Sequence, residues 1–179
     1  MIRFGTGGWR AVIGDDFIKS NIQRVAQGIC LLAKAEGKTD QPVYIGYDRR
    51  FLSDTASRWV AEVLCANGLH VLWVGRSTPT PLVMFEVMNR GLHYGIEITA
   101  SHNPASYNGI KLITGEGRDA SVACTTRLEQ LIDGVTDIPT VPFGTAVEQG
   151  LALQVQTPFN DFLDSILTRL DLAVIRRRG

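Results

Sequence analysis

Apolar positions recur along this chain in two rhythms, and each predicts a different element. Between 17 and 36, Ile18, Ile22, Val25, Ala26, Ile29, Leu32 and Ala33 return every three or four residues, the spacing of a helix with one buried face. Gly37 stands where such a helix closes. The same spacing predicts helices from Ser53 or Asp54 as N-cap to about 67, from Thr80 as N-cap with Pro81 in the first turn to about 90, over 121–133 and over 157–170. Short apolar or alternating runs predict strands at 43–47, 70–75 and 94–100, with a fourth from 110 onward. Strand and helix alternate, so the expected fold is α/β: a three-layer α/β/α sandwich around a mixed, mostly parallel sheet of about four strands. The nine residues between Ala100 and Ile110 are too few for a helical crossover, which makes the last two strands antiparallel. Residues 1–140 are expected to form this domain. Residues 141–179 are expected to be a connector, with a possible short strand at 151–155, and a helix whose apolar stripe docks on a neighbouring domain or on this sheet.

The polar interruptions carry the candidate chemistry. Ser101 falls at the end of the third strand, Asn103 precedes Pro104 and is pushed out of the helical region, and Asn108-Gly109 is the pair most tolerant of positive φ. The segment therefore reads as a rigid turning loop, followed by Lys111 on the next strand. A hydroxyl, the His102 imidazole and an ammonium are expected on one rim. Near the N-terminus, Gly5, Gly7, Gly8 and Gly14 surround Arg10 among Phe4, Trp9, Val12 and Ile13. That mixture suits an ordered segment that aims a guanidinium at phosphate. Asp48-Arg49-Arg50 lies just past the carboxyl end of the first strand, where open α/β sheets place ligand contacts.

A serine hydrolase is disfavoured. Ala100 and His102 break the Gly-x-Ser-x-Gly elbow, and adjacent side chains on an extended backbone point apart, so His102 is poorly placed to be the base of Ser101. The glycines form no dinucleotide or Walker pattern. Eighteen basic and eighteen acidic residues cancel, which removes the global field that nucleic acid or an anionic membrane would need and leaves a small molecule as the expected partner. Three scattered cysteines, Cys30, Cys65 and Cys124, suit reduced thiols in the cytoplasm. Neither a signal peptide nor a membrane span is expected.

Thr99-Ala100-Ser101-His102-Asn103-Pro104, with Tyr107-Asn108-Gly109-Ile110-Lys111 after it, closely resembles the phosphoserine loop of the α-D-phosphohexomutases, the phosphoglucomutase and phosphomannomutase family. Phe4-Gly5-Thr6-Gly7-Gly8-Trp9-Arg10 resembles the same family's N-terminal signature, and Gly46-Tyr47-Asp48-Arg49-Arg50 its Asp-Arg element. The resemblance covers only the first of the family's four domains. It implies that Ser101 carries a phosphate, passes it to a hexose monophosphate, and recovers the other phosphate after a hexose 1,6-bisphosphate intermediate turns round. It further implies Lys111 as acid/base, His102 as its assistant, and Arg10, Arg49, Asn103 and Lys111 as phosphate and substrate contacts. Mg²⁺ would be held by a phosphate oxygen on Ser101 and by three aspartates of a second domain. No Asp-x-Asp-x-Asp cluster occurs here, so the chain reads as an inactive N-terminal piece whose partners are hexose phosphate and the remaining domains. The alternatives are a stand-alone phosphate- or nucleotide-binding module and a structural domain without turnover.

Overall fold

A computed structural model describes every residue of the chain except 1, 6, 172, 173, 176, 178 and 179, so Thr6 of the N-terminal motif lies outside the described residues. In chain order the elements are β1 (Phe4–Gly5), β2 (Gly8–Val12), α1 (Lys19–Ala35), β3 (Val43–Tyr47), α2 (Ser53–Ala66), β4 (Val71–Trp73) and α3 (Thr80–Asn89). They continue with β5 (Tyr94–Ile98), β6 (Tyr107–Thr114), β7 (Arg118–Asp119), α4 (Val122–Asp133), α5 (Phe143–Glu148), β8 (Ala152–Gln154) and α6 (Asn160–Leu167).

The sheet is mixed and runs β1-β2-β6-β5-β3-β4-β8, with β7 beside β6. Pairing is parallel from β5 through β3 and β4 to β8, and antiparallel from β5 through β6 and β2 to β1. Helices cover both faces, as the alternation of strands and helices predicts. On one face α1, α2, α4 and α5 bury Ile22, Ile29, Val60, Leu64, Leu128 and Ala146 against Ile45, Ile96, Ile98 and Ile110. On the other, α3 sets Leu82, Val83 and Val87 on Tyr44, Val74 and Ile113. The short β5–β6 connection gives the antiparallel pair expected of it.

The sheet has eight strands, twice the expected number, because its edges are built from runs too short to show a period. The glycine-rich N-terminus forms a hairpin, β1–β2, that adds to β6. The connector from 141 onward supplies α5 and then β8, which falls within the short strand expected at 151–155 and pairs with β4. Asn108-Gly109 is not a turn. It lies inside β6, opposite Ala11 and Arg10 of β2, with Asn108 fully buried. Gly109 is needed there for closeness: a Cβ would sit 2.2 Å from the Trp9 carbonyl oxygen. The helix starts also differ. Leu52, at φ 65°, precedes α2, and Pro79 precedes α3, with no side-chain cap at either. Ser121 does cap α4, accepting from the Cys124 N–H. α6 touches α3 through Phe162, which meets Phe85, while Leu163 and Leu167 remain about half exposed.

Candidate active site

The site is built where β5 stops. Ser101 adopts φ 56°, a left-handed conformation that few non-glycine residues take, and its N–H donates to the Thr99 hydroxyl at 3.0 Å. Asn103 then donates its N–H to the Ala100 carbonyl at 3.0 Å. The chain thus kinks at the serine and presents its side chain to solvent. The kink also overturns the expectation that His102 and Ser101 point apart, because the backbone between them is not extended. Ser101 Oγ and His102 Nδ1 lie 3.3 Å from each other.

One guanidinium fixes this loop. Arg50 Nη2 donates to the carbonyls of Ser101 (2.8 Å) and Asn103 (2.7 Å), and Nη1 to those of Pro104 (2.8 Å) and Tyr107 (3.1 Å). Its Nε lies 3.2 Å from an Asp48 carboxylate oxygen. Asp48 is held in turn by the Arg50 N–H and by the hydroxyl of Ser53, which also accepts from the buried Asn108 amide. Ser53 therefore serves the loop and not a helix cap. Arg49, expected to order the site, instead donates through Nε to Ser77 Oγ at 3.3 Å, at the rim of the cavity that Ser101 faces. Arg50 was missed although a signal existed. An Asp that bonds the N–H two residues on forms an Asx-turn, and that turn decides which of the two arginines faces the loop.

Two openings flank the loop. A cavity of about 570 Å³ is lined by Asp48, Arg49, Arg50, Ser101, Asn103 and Ala105. Another of about 520 Å³ is lined by Arg3, Gly5, Gly8, Arg10 and His102. Asn103 ties them together, its Oδ1 accepting from Arg10 Nη1 at 3.1 Å. Ser101, His102, Asn103 and Arg10 are thus brought together as the loop pattern implied, with Arg49 at the edge.

Lys111 is not among the lining residues of either opening, but its Nζ stands beside the glycines that border the second one: a Cβ on Gly7 would lie 3.3 Å from it. The lysine lies further down β6, opposite Glu97 of β5, and its ammonium bonds Asp119 of β7 at 2.9 and 3.0 Å from the two carboxylate oxygens. Glu97 itself is fully buried, and neither of its carboxyl oxygens has a partner among the described residues. Burial first, then the nearby Asp48 carboxylate, pushes its pKa well above the ordinary range, against the lowering influence of Lys111. The strand alternation puts Glu97 on the face opposite Ile96 and Ile98, in a strand flanked on both sides. A buried carboxyl was readable there and went unread.

This geometry suits phosphoryl transfer better than acyl hydrolysis. His102 is within reach of Oγ, but among the described residues no carboxylate bonds the imidazole, so the orienting member of a triad is absent. Two side chains with several donors each, Arg10 and Arg49, border the openings beside the serine, as charge neutralisation on a phosphoryl group requires. No three His, Cys, Asp or Glu residues gather into a metal-binding group among the described residues.

Residues 1–138 match the family described as phosphoglucomutase/phosphomannomutase, alpha/beta/alpha domain I. A phosphoglucomutase of Staphylococcus saprophyticus is 32% identical over 156 residues, covering 84% of this chain and 28% of the relative. A phosphoglucosamine mutase of Acetivibrio thermocellus is 28% identical over 163 residues, 91% of this chain and 36% of the relative. A solved structure from Thermus thermophilus, assigned as a phosphomannomutase, superposes with a TM-score of 0.84 at 28% identity, over 96% of this chain and 37% of that one. The chain thus spans about a third of the length of these relatives.

Proposed function

Since the chain belongs to the phosphoglucomutase/phosphomannomutase family and supplies its α/β/α domain I, we propose that it is the phosphoserine domain of a mutase that interconverts hexose 1-phosphate and hexose 6-phosphate. The observation that carries this reading is the exposed Ser101 hydroxyl, held on a left-handed kink by Thr99 and by the Arg50 clamp. In the forward half-reaction the Ser101 Oγ–P bond breaks as a bond forms from phosphorus to the sugar hydroxyl. The hydroxyl's proton must leave, and Oγ must regain one. His102, 3.3 Å from Oγ, supplies and later removes the proton there, while Lys111, once it leaves Asp119 and gives up one proton to solvent, takes the sugar's proton as a neutral amine. Arg10, Arg49 and Asn103 orient the phosphate from the two openings. The hexose 1,6-bisphosphate made in this half-reaction turns round and returns its other phosphate to Ser101.

Mg²⁺, which the family resemblance implies, does not find its site in these residues. This chain offers it one donor, a phosphate oxygen on Ser101, and no step is routed through it here. The names of the relatives differ in sugar, with glucose, glucosamine and ribose among them, so the class they share is a sugar phosphate, and hexose phosphate is proposed on the resemblance of the serine loop. Residues 141–179 lead on toward the further domains of such a mutase, and its setting is the cytoplasm. No helix among the described residues is long and apolar enough to cross a membrane.

The test is phosphopeptide mapping. A mutase carrying this domain with the remaining ones is incubated with hexose 1,6-bisphosphate, and the label is expected on Ser101 and lost in Ser101→Ala. Label that persists in Ser101→Ala, or that appears only on Ser106, overturns the assignment.

A further inference from the structure

Glu97 occupies a place where a carboxyl has no ordinary business. It sits on a central strand with no exposure, and neither of its oxygens has a hydrogen-bond partner among the described residues. Three other polar atoms share the condition among the described residues, Gln41 Oε1 and the Thr78 and Tyr44 hydroxyls, and the two hydroxyls belong to the surroundings of Glu97. A Cβ placed on Gly46 would lie 2.4 Å from Glu97 Oε2 and 2.6 Å from Thr78 Oγ1, so the carboxyl and that hydroxyl crowd the same spot. A charge isolated in such a place is costly, so the carboxyl keeps its proton in this arrangement.

The groups that face Glu97 come from each element around it. β3 presents Tyr44 and, at its carboxyl end, Asp48, both electrostatically coupled to Glu97. The segment before α3 presents Thr78, and α3 presents Val83 near Gly46, while its Glu86 and Arg90 pair with each other. β6 presents Lys111, directly opposite in the antiparallel register, with Asp119 of β7 behind it. Side chains directly opposite in an antiparallel pair leave the sheet on the same face with Cβ atoms about 4.5–5.5 Å from each other. The Lys111 ammonium, held by Asp119 beside Gly7 in this structure, is near enough for its charge to favour the Glu97 carboxylate, so its flexible stem has both carboxyls in its neighbourhood.

We propose that Glu97 is a positioning residue for Lys111: the ammonium exchanges between Asp119, which holds it in this structure, and Glu97, and one proton passes from Glu97 to solvent as the ammonium arrives. No bond to a heavier atom changes. Before the exchange the ammonium faces the Asp119 carboxylate and Glu97 is neutral; afterwards it faces a Glu97 carboxylate and Asp119 is free to solvent. Because a proton is released, rising pH favours the Glu97-bound arrangement. Asp119 lies on the exposed strand β7, whereas Glu97 lies near Asp48, which lines the cavity facing Ser101. The exchange therefore moves the ammonium from an edge strand to the centre of the sheet, on the side of Asp48. Its bearing on turnover rests on the role proposed above for Lys111.

The test is carboxyl ¹³C NMR of the chain labelled in its glutamate side chains, with Glu97→Gln identifying the signal by its loss. Wild-type Glu97 is expected to titrate above the ordinary carboxylate range. Asp119→Asn, at a surface position, frees the lysine for Glu97 and should lower the midpoint by about one unit or more, a tenfold change in proton affinity. Lys111→Met should raise it, and circular dichroism checks that each variant is folded. Should Lys111→Met fail to fold, Lys111→Gln takes its place. A Glu97 midpoint in the ordinary range, or one that Asp119→Asn leaves unmoved, overturns the exchange. Mutase turnover of the Lys111 variants in a longer chain judges the other reading separately. A shifted midpoint with undiminished turnover keeps the exchange and removes Lys111 from the chemistry; an unmoved midpoint with lost turnover does the reverse.

Discussion

Arg49 and Arg50 are adjacent and chemically identical, yet the turn made by Asp48 gives them different work. Arg50 binds four carbonyls of the serine loop, and its side chain is only 15% exposed, so its hydrogen bonds compete weakly with water. An ammonium cannot span those four acceptors in one plane as the guanidinium does. Arg50→Lys is therefore expected to cost roughly 2 kcal/mol of stability and to speed backbone hydrogen exchange across residues 99–107. Arg49→Lys, which loses one bond to Ser77, should leave that exchange as it is. Equal exchange in both variants would mean that the loop holds its shape without the clamp. The serine, histidine, asparagine and Arg10 were legible because their motif is contiguous or glycine-flanked. Arg50 and Glu97 were not picked out because their roles depend on turn geometry and on which face of a strand lies under a helix. Lys111 was legible as a residue but its ion pair was not, since its partner Asp119 comes from a two-residue strand with no pattern of its own.

At the scale of elements, β6 is where the two halves of the sheet meet. It pairs with β5 on one side and with β2 on the other, and Gly109 lets β2 approach. A Cβ there would stand 2.2 Å from the Trp9 carbonyl oxygen and 2.9 Å from that of Thr99, both backbone atoms that cannot rotate away. Gly109→Ala must push β2 off β6, carrying with it Trp9, now 3% exposed, and Arg10. The expected loss is on the order of 2 kcal/mol or more, seen as a lower melting temperature with a red-shifted tryptophan emission. A stability within experimental error of wild type would show that the strand can shift without loss. α1, α2, α3 and α4 were readable because each repeats an apolar face over about three turns or more. β1, β2 and β7 have two to five residues, and their membership in the sheet follows from long-range pairing that no local period records, whereas β8 falls within the short strand readable at 151–155. The same dependence on distant partners hid the turn-like Asn108-Gly109 inside a strand. The pair was judged by its tolerance of positive φ, when what the fold uses is the missing side chain.

At the scale of the molecule, folding and turnover make separate demands on this chain. The core needed for folding is here: both faces of the sheet are covered, and the largest buried side chains, among them Tyr44, Tyr94, Phe17 and Ile22, are essentially without exposure. Turnover asks for more than a phosphoryl carrier. The sugar must be held so that its hydroxyl lies in line with the phosphorus, its other phosphate must be anchored at the far end, and the charge of a phosphoserine, about −1.5 to −2 near neutral pH, must be offset. On this chain the candidate cations, Arg10, Arg49 and Lys111, all lie beside or beneath the serine loop, and no cluster of three acidic or metal-binding residues forms among the described residues. The relatives that carry mutase names are about three times as long. The 179-residue chain is therefore expected to unfold as one cooperative unit by circular dichroism and to show no coupled mutase activity with hexose 1-phosphate and hexose 1,6-bisphosphate, under conditions in which a full-length relative turns over. Turnover by the chain at a rate near that of the relative would mean that one domain anchors both ends of the sugar, and the division of labour proposed here would fall. Absence of a cooperative transition would instead place the missing contacts in folding itself, with the half-exposed Leu163 and Leu167 of α6 the first surface to examine for them.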